Sequence, residues 1–297
     1  MKSWKSQVPL HFMMIPAVVL AFLFNYVPLA GISIAFQRFV PNRGLFGSKW
    51  IGLDNFRYVL DIPDIYQIVF NTVFIAVMKI TAGLIVPIVA ALLLNEMRVK
   101  LIKRSVQTLI YLPHFLSWVI LGGILIDILS IQNGIVNQVL GYFGIGPIYF
   151  LGDNNWFPFT IVLSDVWKEY GFSTIVYLAA LTAIDPSLYE AAHVDGAGRW
   201  KMTIHITLPG MMPIIILLAV LSLGNVLNAG FEQIFMLYNA QVYQSGDIID
   251  TLVYRIAFQD AQYSVSTAVG LFKSVVSLVL IVISYRLAYR YANYRIF

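Results

Sequence analysis

Apolar residues run along this chain in blocks longer than the helices and strands of a soluble domain require. The blocks cover residues 10–36, 68–94, 106–129, 156–184, 206–229 and 265–289, separated by polar stretches. An α-helix rises about 1.5 Å per residue, so about 20 mostly apolar residues cross the hydrocarbon core of a bilayer. Each block is long enough, and the pattern predicts six membrane-spanning helices. The first follows Lys2 and Lys5, as in a secretory leader. It is too long for one and lacks a small-residue cleavage site, so it is expected to be retained.

Composition agrees. The hydrophobic fraction is 59%, the charged fraction 11% and the mean hydropathy +0.78, whereas soluble domains keep roughly a quarter of their residues charged. Residues 1–297 read as one membrane domain with short connections. Lysine and arginine favour the cytoplasmic side. With the N-terminus inside, the inner segments hold Lys2, Lys5, Arg98, Lys100, Lys103, Arg104, Arg199, Lys201, Arg286, Arg290 and Arg295. The outer ones hold only Arg38, Arg43, Lys49, Arg57 and Arg255. Both termini are then cytoplasmic, and segments 37–67, 130–155 and 230–264 face outward.

Several chemistries drop out. No cysteine is present, and the four histidines lack ligand spacing, so no metal site is expected. The net charge of +4 is too scattered for nucleic acid. No Gly-x-Ser-x-Gly, His-Glu-x-x-His or G-x-x-x-x-G-K-[ST] pattern occurs, so neither catalysis nor ATP hydrolysis is expected of this chain.

The segment from Asp185 to Pro209 is the most informative. Asp185 can cap a helix with Pro186 at its first position, or Ser187 and Glu190 can form a capping box. Gly196 and Gly198 would end that helix. Leu188, Ala191 and Ala192 share a face low enough for another protein to approach closely. Glu190-Ala191-Ala192, three residues, Gly196, nine residues and Ile206-x-Leu208-Pro209 resemble, at every signature position, the EAA motif of binding-protein-dependent ABC importer permeases. Asp195, Ala197 and Trp200 are similar to the carbohydrate branch of that family. Trp167-Lys168, Gly171-Phe172, Asp247-Ile248-Ile249-Asp250-Thr251, Tyr254-Arg255 and Gly270-Leu271-Phe272-Lys273-Ser274 resemble its polysaccharide and oligosaccharide subfamily.

The resemblance implies an all-α membrane protein of six transmembrane helices with the type I, maltose-permease-like fold and a cytoplasmic coupling helix over residues 186–196. It implies import of a carbohydrate, an oligosaccharide in this subfamily, across a bacterial cell membrane by alternating access. The implied partners are a second permease chain, two ATPase subunits, an extracytoplasmic solute-binding protein and membrane lipid. ATP and Mg would sit on the ATPase, with no cofactor here. Glu190, Ala191, Ala192, Asp195 and Gly196 become ATPase-contacting residues, with Glu190 facing a basic side chain. The competing reading of the helix is an interfacial amphipathic segment. A gradient-driven carrier would favour paired broken helices; Gly83 and Pro87 are expected to break the second helix, but no counterpart stands out.

Ionisable residues inside membrane helices mark sites or internal pairs. Asp165, Lys168 and Glu169 fall mid-way along the fourth helix, where Asp165 is expected to reach Lys168. Lys79 and Lys273 have no local partner in sequence. The candidate substrate pathway is Asn71, Asp165, Trp167, Lys168, Asn225 and Lys273; the alternative for each is interhelical packing. The resemblance makes Tyr238, Tyr243, Asp247, Asp250, Tyr254 and Asp260 candidates for docking the binding protein; the alternative is a folded, hydrated loop.

Overall fold

The computed structural model describes residues 4–292; Lys2 and Arg295, counted above for orientation, lie outside the described residues. Helix dominates, and the described residues form two compact units, Met1–Ile65 with Val253–Phe272, and Tyr66–Leu252 with Lys273–Phe297.

In the first unit, α1 (Trp4–Ala21) continues through a π turn, Phe22–Tyr26, into a 3-10 stretch, Val27–Phe36. The widening has a local cause: Pro28 has no N–H, and its ring crowds the carbonyl four residues back. Strands β1 (Gln37–Arg38) and β2 (Lys49–Trp50) pair antiparallel, Gln37 opposite Trp50. Phe36 stacks on Trp50 at 5.6 Å. Helix α2 (Asp54–Leu60) follows. Its buried Asn55 donates to the carbonyls of Ala35 (2.8 Å) and Gln37 (3.0 Å), so the polar end of a long apolar helix has its acceptors met.

The second unit holds α3 (Ile65–Glu96), α4 (Lys100–Tyr111), α5 (Trp118–Ile128), α6 (Ile135–Tyr142), α7 (Phe157–Thr182) and α8 (Pro186–Val194). A single turn (Arg199–Met202) and a π turn (Thr203–Thr207) then lead into α9 (Leu208–Leu223), followed by α10 (Phe231–Leu237) and α11 (Ile249–Tyr254), whose last two residues count with the first unit. The π turn again precedes a proline, Pro209. The last helix, α12 (Tyr263–Ala292), starts in the first unit and ends in the second. Ile75, Phe157, Ile161, Ile234, Val242 and Ile248 form one fully buried core, and Ala91, Tyr177, Leu181 and Met211 centre another.

Four stretches are long and apolar enough to cross a bilayer: His11–Phe36, Ile65–Glu96, Arg199–Leu223 and Tyr263–Arg286. The number rises to six if each of two bent pairs makes one span. The structure corrects the sequence expectation in three places. Residues 106–129 are not one helix, because α4 and α5 meet at 104°. Leu116 and Ser117 are extended, and the Ser117 hydroxyl accepts from Ile120 N to cap a new helix. The fifth span ends at Leu223 rather than 229, since Gly224, Asn225 and Asn228 form turns (Asn228 N to Asn225 O, 2.8 Å). The second helix runs unbroken through Gly83 and Pro87, as membrane helices tolerate a lost hydrogen bond when neighbours supply others.

Candidate functional site

The segment singled out in the sequence folds as a short helix closed at both ends. Asp185 is its N-cap, accepting from Ser187 N at 2.9 Å, with Pro186 in the first turn. Of the two caps the sequence allowed, this is the one formed. The Ser187 backbone N–H, with its hydroxyl nearby, holds the Asp185 carboxyl below the usual carboxylate value. At the other end Ala197 N donates to Ala192 O (2.8 Å) and Gly196 N to His193 O (3.1 Å). That double bond pattern needs a left-handed residue, and Gly196 provides it at φ +76°.

None of α8 is buried. Leu188 is 51% exposed, Val194 87% and the neighbouring Trp200 75%. The Glu190 carboxylate and the low Ala191 surface share this open face. Yet α8 is anchored through its flanks. The Tyr189 hydroxyl meets the Thr207 hydroxyl at 3.0 Å, and Arg199 pairs with Glu96, the last residue of α3, at 3.2 Å. A largely apolar cavity of about 470 Å³ lies beside these anchors, lined by Leu92, Glu96, Arg199 and Trp200 among others. The axes of α7 and α8 differ by 68°. Displacing α8 therefore acts on α3, α7 and the start of α9 together.

Deeper in the second unit, Lys79 on α3 sits among oxygens from two other elements. Its ammonium contacts Asp165 Oδ1 on α7 at 3.2 Å, donates to Ala229 O at 2.8 Å and is in hydrogen-bond contact with Gln233 Oε1. Gln233 is fully buried; its amide nitrogen donates to Ile161 O (2.7 Å) and to the Ser164 hydroxyl (2.8 Å). Gly230 holds φ +93°, and a Cβ there would stand 2.8 Å from Lys79 Nζ. The bend between α9 and α10 thus closes onto a lysine. A cavity of about 250 Å³ adjoins it, lined by Lys79, Asp165, Ser222, Asn225 and Asn228 among others.

Of the six pathway candidates, only Asp165 and Asn225 meet at that cavity. Asp165 pairs with Lys79 rather than Lys168. Lys168 donates instead to Glu169 (2.8 Å) and to the carbonyl of His114 (3.0 Å), at the bend between α4 and α5. His114 also meets Glu169 at 2.7 Å and stacks on Phe172 at 4.1 Å. Gly171 completes the crossing, because a Cβ there would overlap Ile110 O at 1.9 Å. Asn71 is a tie: its amide donates to Gln244 O and Asp247 O at 3.0 and 3.1 Å. Lys273 finds its partner in Asp250, and Trp167 is 45% exposed.

Among the docking candidates, Asp247 is buried and accepts from the Thr251 hydroxyl, so it secures the start of α11. Tyr238 and Tyr243 stack together at 5.3 Å. Sequence reasoning missed Gln233 and Ser222. The Asn225, Asn228 and Gly230 cluster, which marks a break, was the signal that pointed to them.

Comparison with known proteins bears on both regions. Residues 83–293 match the family described as binding-protein-dependent transport system inner membrane component. Over 288 residues the chain is 42% identical to the polygalacturonan/rhamnogalacturonan transport system permease protein YteP of Bacillus subtilis, covering 97% of this chain and 90% of that one. Identity to protein LplB of the same organism is 40%, over 95% and 88% of the two chains. In three dimensions it is similar to a chain of a bacterial ABC transporter involved in the import of the acidic polysaccharide alginate. The TM-score is 0.89, with 38% identity and 97% of each chain covered. The same transporter fold in complex with an alginate pentasaccharide-bound periplasmic protein gives 0.88, with 37% identity and 96% of each chain covered.

Proposed function

Because the chain belongs to the family of binding-protein-dependent transport system inner membrane components, we propose that it is the permease subunit of an ABC importer whose cargo is an oligosaccharide of acidic sugars. The observation that carries the reading is α8, an exposed helix capped at both ends within the EAA segment and anchored to α3 and α9. A rigid element of this kind moves as a body when a partner with two states grips it. Glu190, Ala191, Ala192, Asp195 and Gly196 form the grip, and Glu190 meets a basic side chain of the ATPase.

Energy then comes from two ATPase subunits that hold ATP and Mg, and this chain performs no catalysis. A second permease chain completes the pathway, and an extracytoplasmic binding protein delivers the cargo. All six apolar segments cross, α4 and α5 together making the third and α7 without α8 the fourth, with both termini cytoplasmic; the distribution of lysine and arginine supports this orientation. The cavity beside Lys79 offers amides and hydroxyls to sugar hydroxyls through Ser222, Asn225 and Asn228. The acidic class of cargo is favoured by the relatives, one named for polygalacturonan transport and another for the import of alginate.

The test is uptake of labelled oligosaccharides into ATP-loaded vesicles holding this chain with its neighbouring permease, ATPase and binding protein. Uptake that requires ATP and is lost in Glu190→Lys is the expected result. Uptake driven by an ion gradient without the ATPase would overturn the reading.

A further inference from the structure

The single lysines of α3, α7 and α12 are already neutralised: Lys79 by Asp165, Lys168 by Glu169 and Lys273 by Asp250. A sugar carboxylate could reach one of these ammonium groups only by displacing the carboxylate already on it, from lysines that are themselves largely buried. Arg38, in the first unit, differs. Its side chain is exposed, and among the described residues it forms no ion pair. The nearby acid, Asp54, is engaged at 3.9 Å by Arg57 instead.

Arg38 borders a cleft of about 480 Å³ whose lining includes Phe39, Asp54, Tyr58, Gln262 and Tyr263, within the usual range for small-molecule sites of about 300–1,000 Å³. The walls are fixed. Phe39 N donates to the Ser264 hydroxyl at 2.9 Å, and the Phe39 ring meets Tyr263 edge-on at 6.3 Å. Ala261, also in the lining, holds φ +52°, a left-handed conformation costly for a residue with a Cβ. Such strain gathers at ligand clamps. Tyr58 and Tyr263 are 51% and 38% exposed, so ring surface is open to the cleft's surroundings.

We propose that this cleft binds a uronate residue of the incoming oligosaccharide. The Arg38 guanidinium takes the carboxylate through two parallel N–H bonds, a geometry that a lysine cannot reproduce. Tyr58 and Tyr263 cover the apolar face of the ring, and Gln262 exchanges hydrogen bonds with its hydroxyls. Charge is thereby read in the first unit, and hydroxyls in the Lys79 cavity of the second. The assignment rests on the importer reading and on segment 37–67 facing outward.

The experiment uses the full complex of both permeases and both ATPases in nanodiscs, without binding protein, titrated with trigalacturonate and with its carboxyl-reduced counterpart. Arg38→Gln should weaken trigalacturonate binding about tenfold, the scale of one charge-assisted hydrogen bond, and leave the reduced sugar unchanged. Arg38→Lys should recover only part of the loss, and Tyr58→Ala should weaken both sugars. Unchanged trigalacturonate binding in Arg38→Gln overturns the cleft assignment. So does a variant that, when the binding protein is titrated onto the same nanodiscs in a separate arm, loses affinity only for that protein, which would make Arg38 a protein contact. If, in the vesicle uptake assay above, the wild type imports trigalacturonate while Arg38→Gln binds it normally in nanodiscs, the cleft alone falls. If the wild type binds in nanodiscs and imports into vesicles only the reduced sugar, the acidic-cargo reading falls with it.

Discussion

Helix α8 is specified by its own neighbours in sequence, from the Asp185 cap to the Gly196 turn, and it buries none of its side chains. The Lys79 cluster is the reverse: a largely buried lysine on α3, a partly buried aspartate on α7, and a carbonyl and an amide from the buried residues 229 and 233. An exposed, self-contained helix can be displaced as one piece at little internal cost. A buried polar cluster shared by three elements resists separation, because any member left behind is an unpaired charge in a poorly solvating interior. The first is suited to receive force, and the second to keep the helices around the cavity moving together.

That contrast can be broken experimentally, most severely at α8. Glu190→Lys and Gly196→Asp should each abolish ATP-driven uptake while the protein still reaches the membrane in normal amount; vesicle uptake beside a membrane-fraction blot measures both. Normal uptake in both variants would reduce α8 to a surface helix. Next in size, Lys79→Met should destabilise the protein by about 3–5 kcal/mol, the cost of breaking a buried pair from one side. Lys79→Met with Asp165→Asn should recover much of the loss, as thermal unfolding in detergent would report. A double variant no better than the single would mean that Lys79 acts through Ala229 and Gln233 rather than through charge.

A smaller effect is expected of Gly230→Ala, which sets a Cβ against Lys79 Nζ at a left-handed position and should cost about 1–2 kcal/mol. The smallest belongs to Asp185. Its carboxyl lies below the usual value in the folded protein, so the charge stabilises α8 above the ordinary carboxylate range. That contribution disappears only as pH falls through the lowered value. Uptake near neutral pH should therefore show no dependence on this group. Asp185→Asn, which keeps an acceptor, should behave as wild type, and Asp185→Ala should couple less efficiently.

Sequence made the two regions unequally legible. The caps and turn of α8 are local, so residue types at fixed spacing were enough to place its ends. The partners of Lys79 lie 86, 150 and 154 positions away, and no periodicity reports a contact of that range. Spacing pairs Asp165 with Lys168, but the tertiary fold gives Asp165 its partner on α3 and leaves Lys168 to the adjacent Glu169 and the His114 carbonyl. The long apolar spans were legible because length alone defines them. The bend at residues 112–117 was not, since apolar composition continues straight through it, although Pro113 and Ser117 are the residues a break would use.

That bend constrains the order in which the chain can be assembled. At 12 and 11 residues, α4 and α5 are each about 17 Å long, well short of the roughly 30 Å of hydrocarbon. The carbonyl of His114 at their junction is satisfied by Lys168, more than fifty positions further on. A nascent chain that stops short of Phe157 has no ammonium to offer that carbonyl, no Glu169 for the imidazole and no Gly171 against which Ile110 can close. The third apolar segment leaves the ribosome before the partners of its bend exist. It reaches its final form only once the fourth has been translated, which makes α7 the template on which its predecessor is completed.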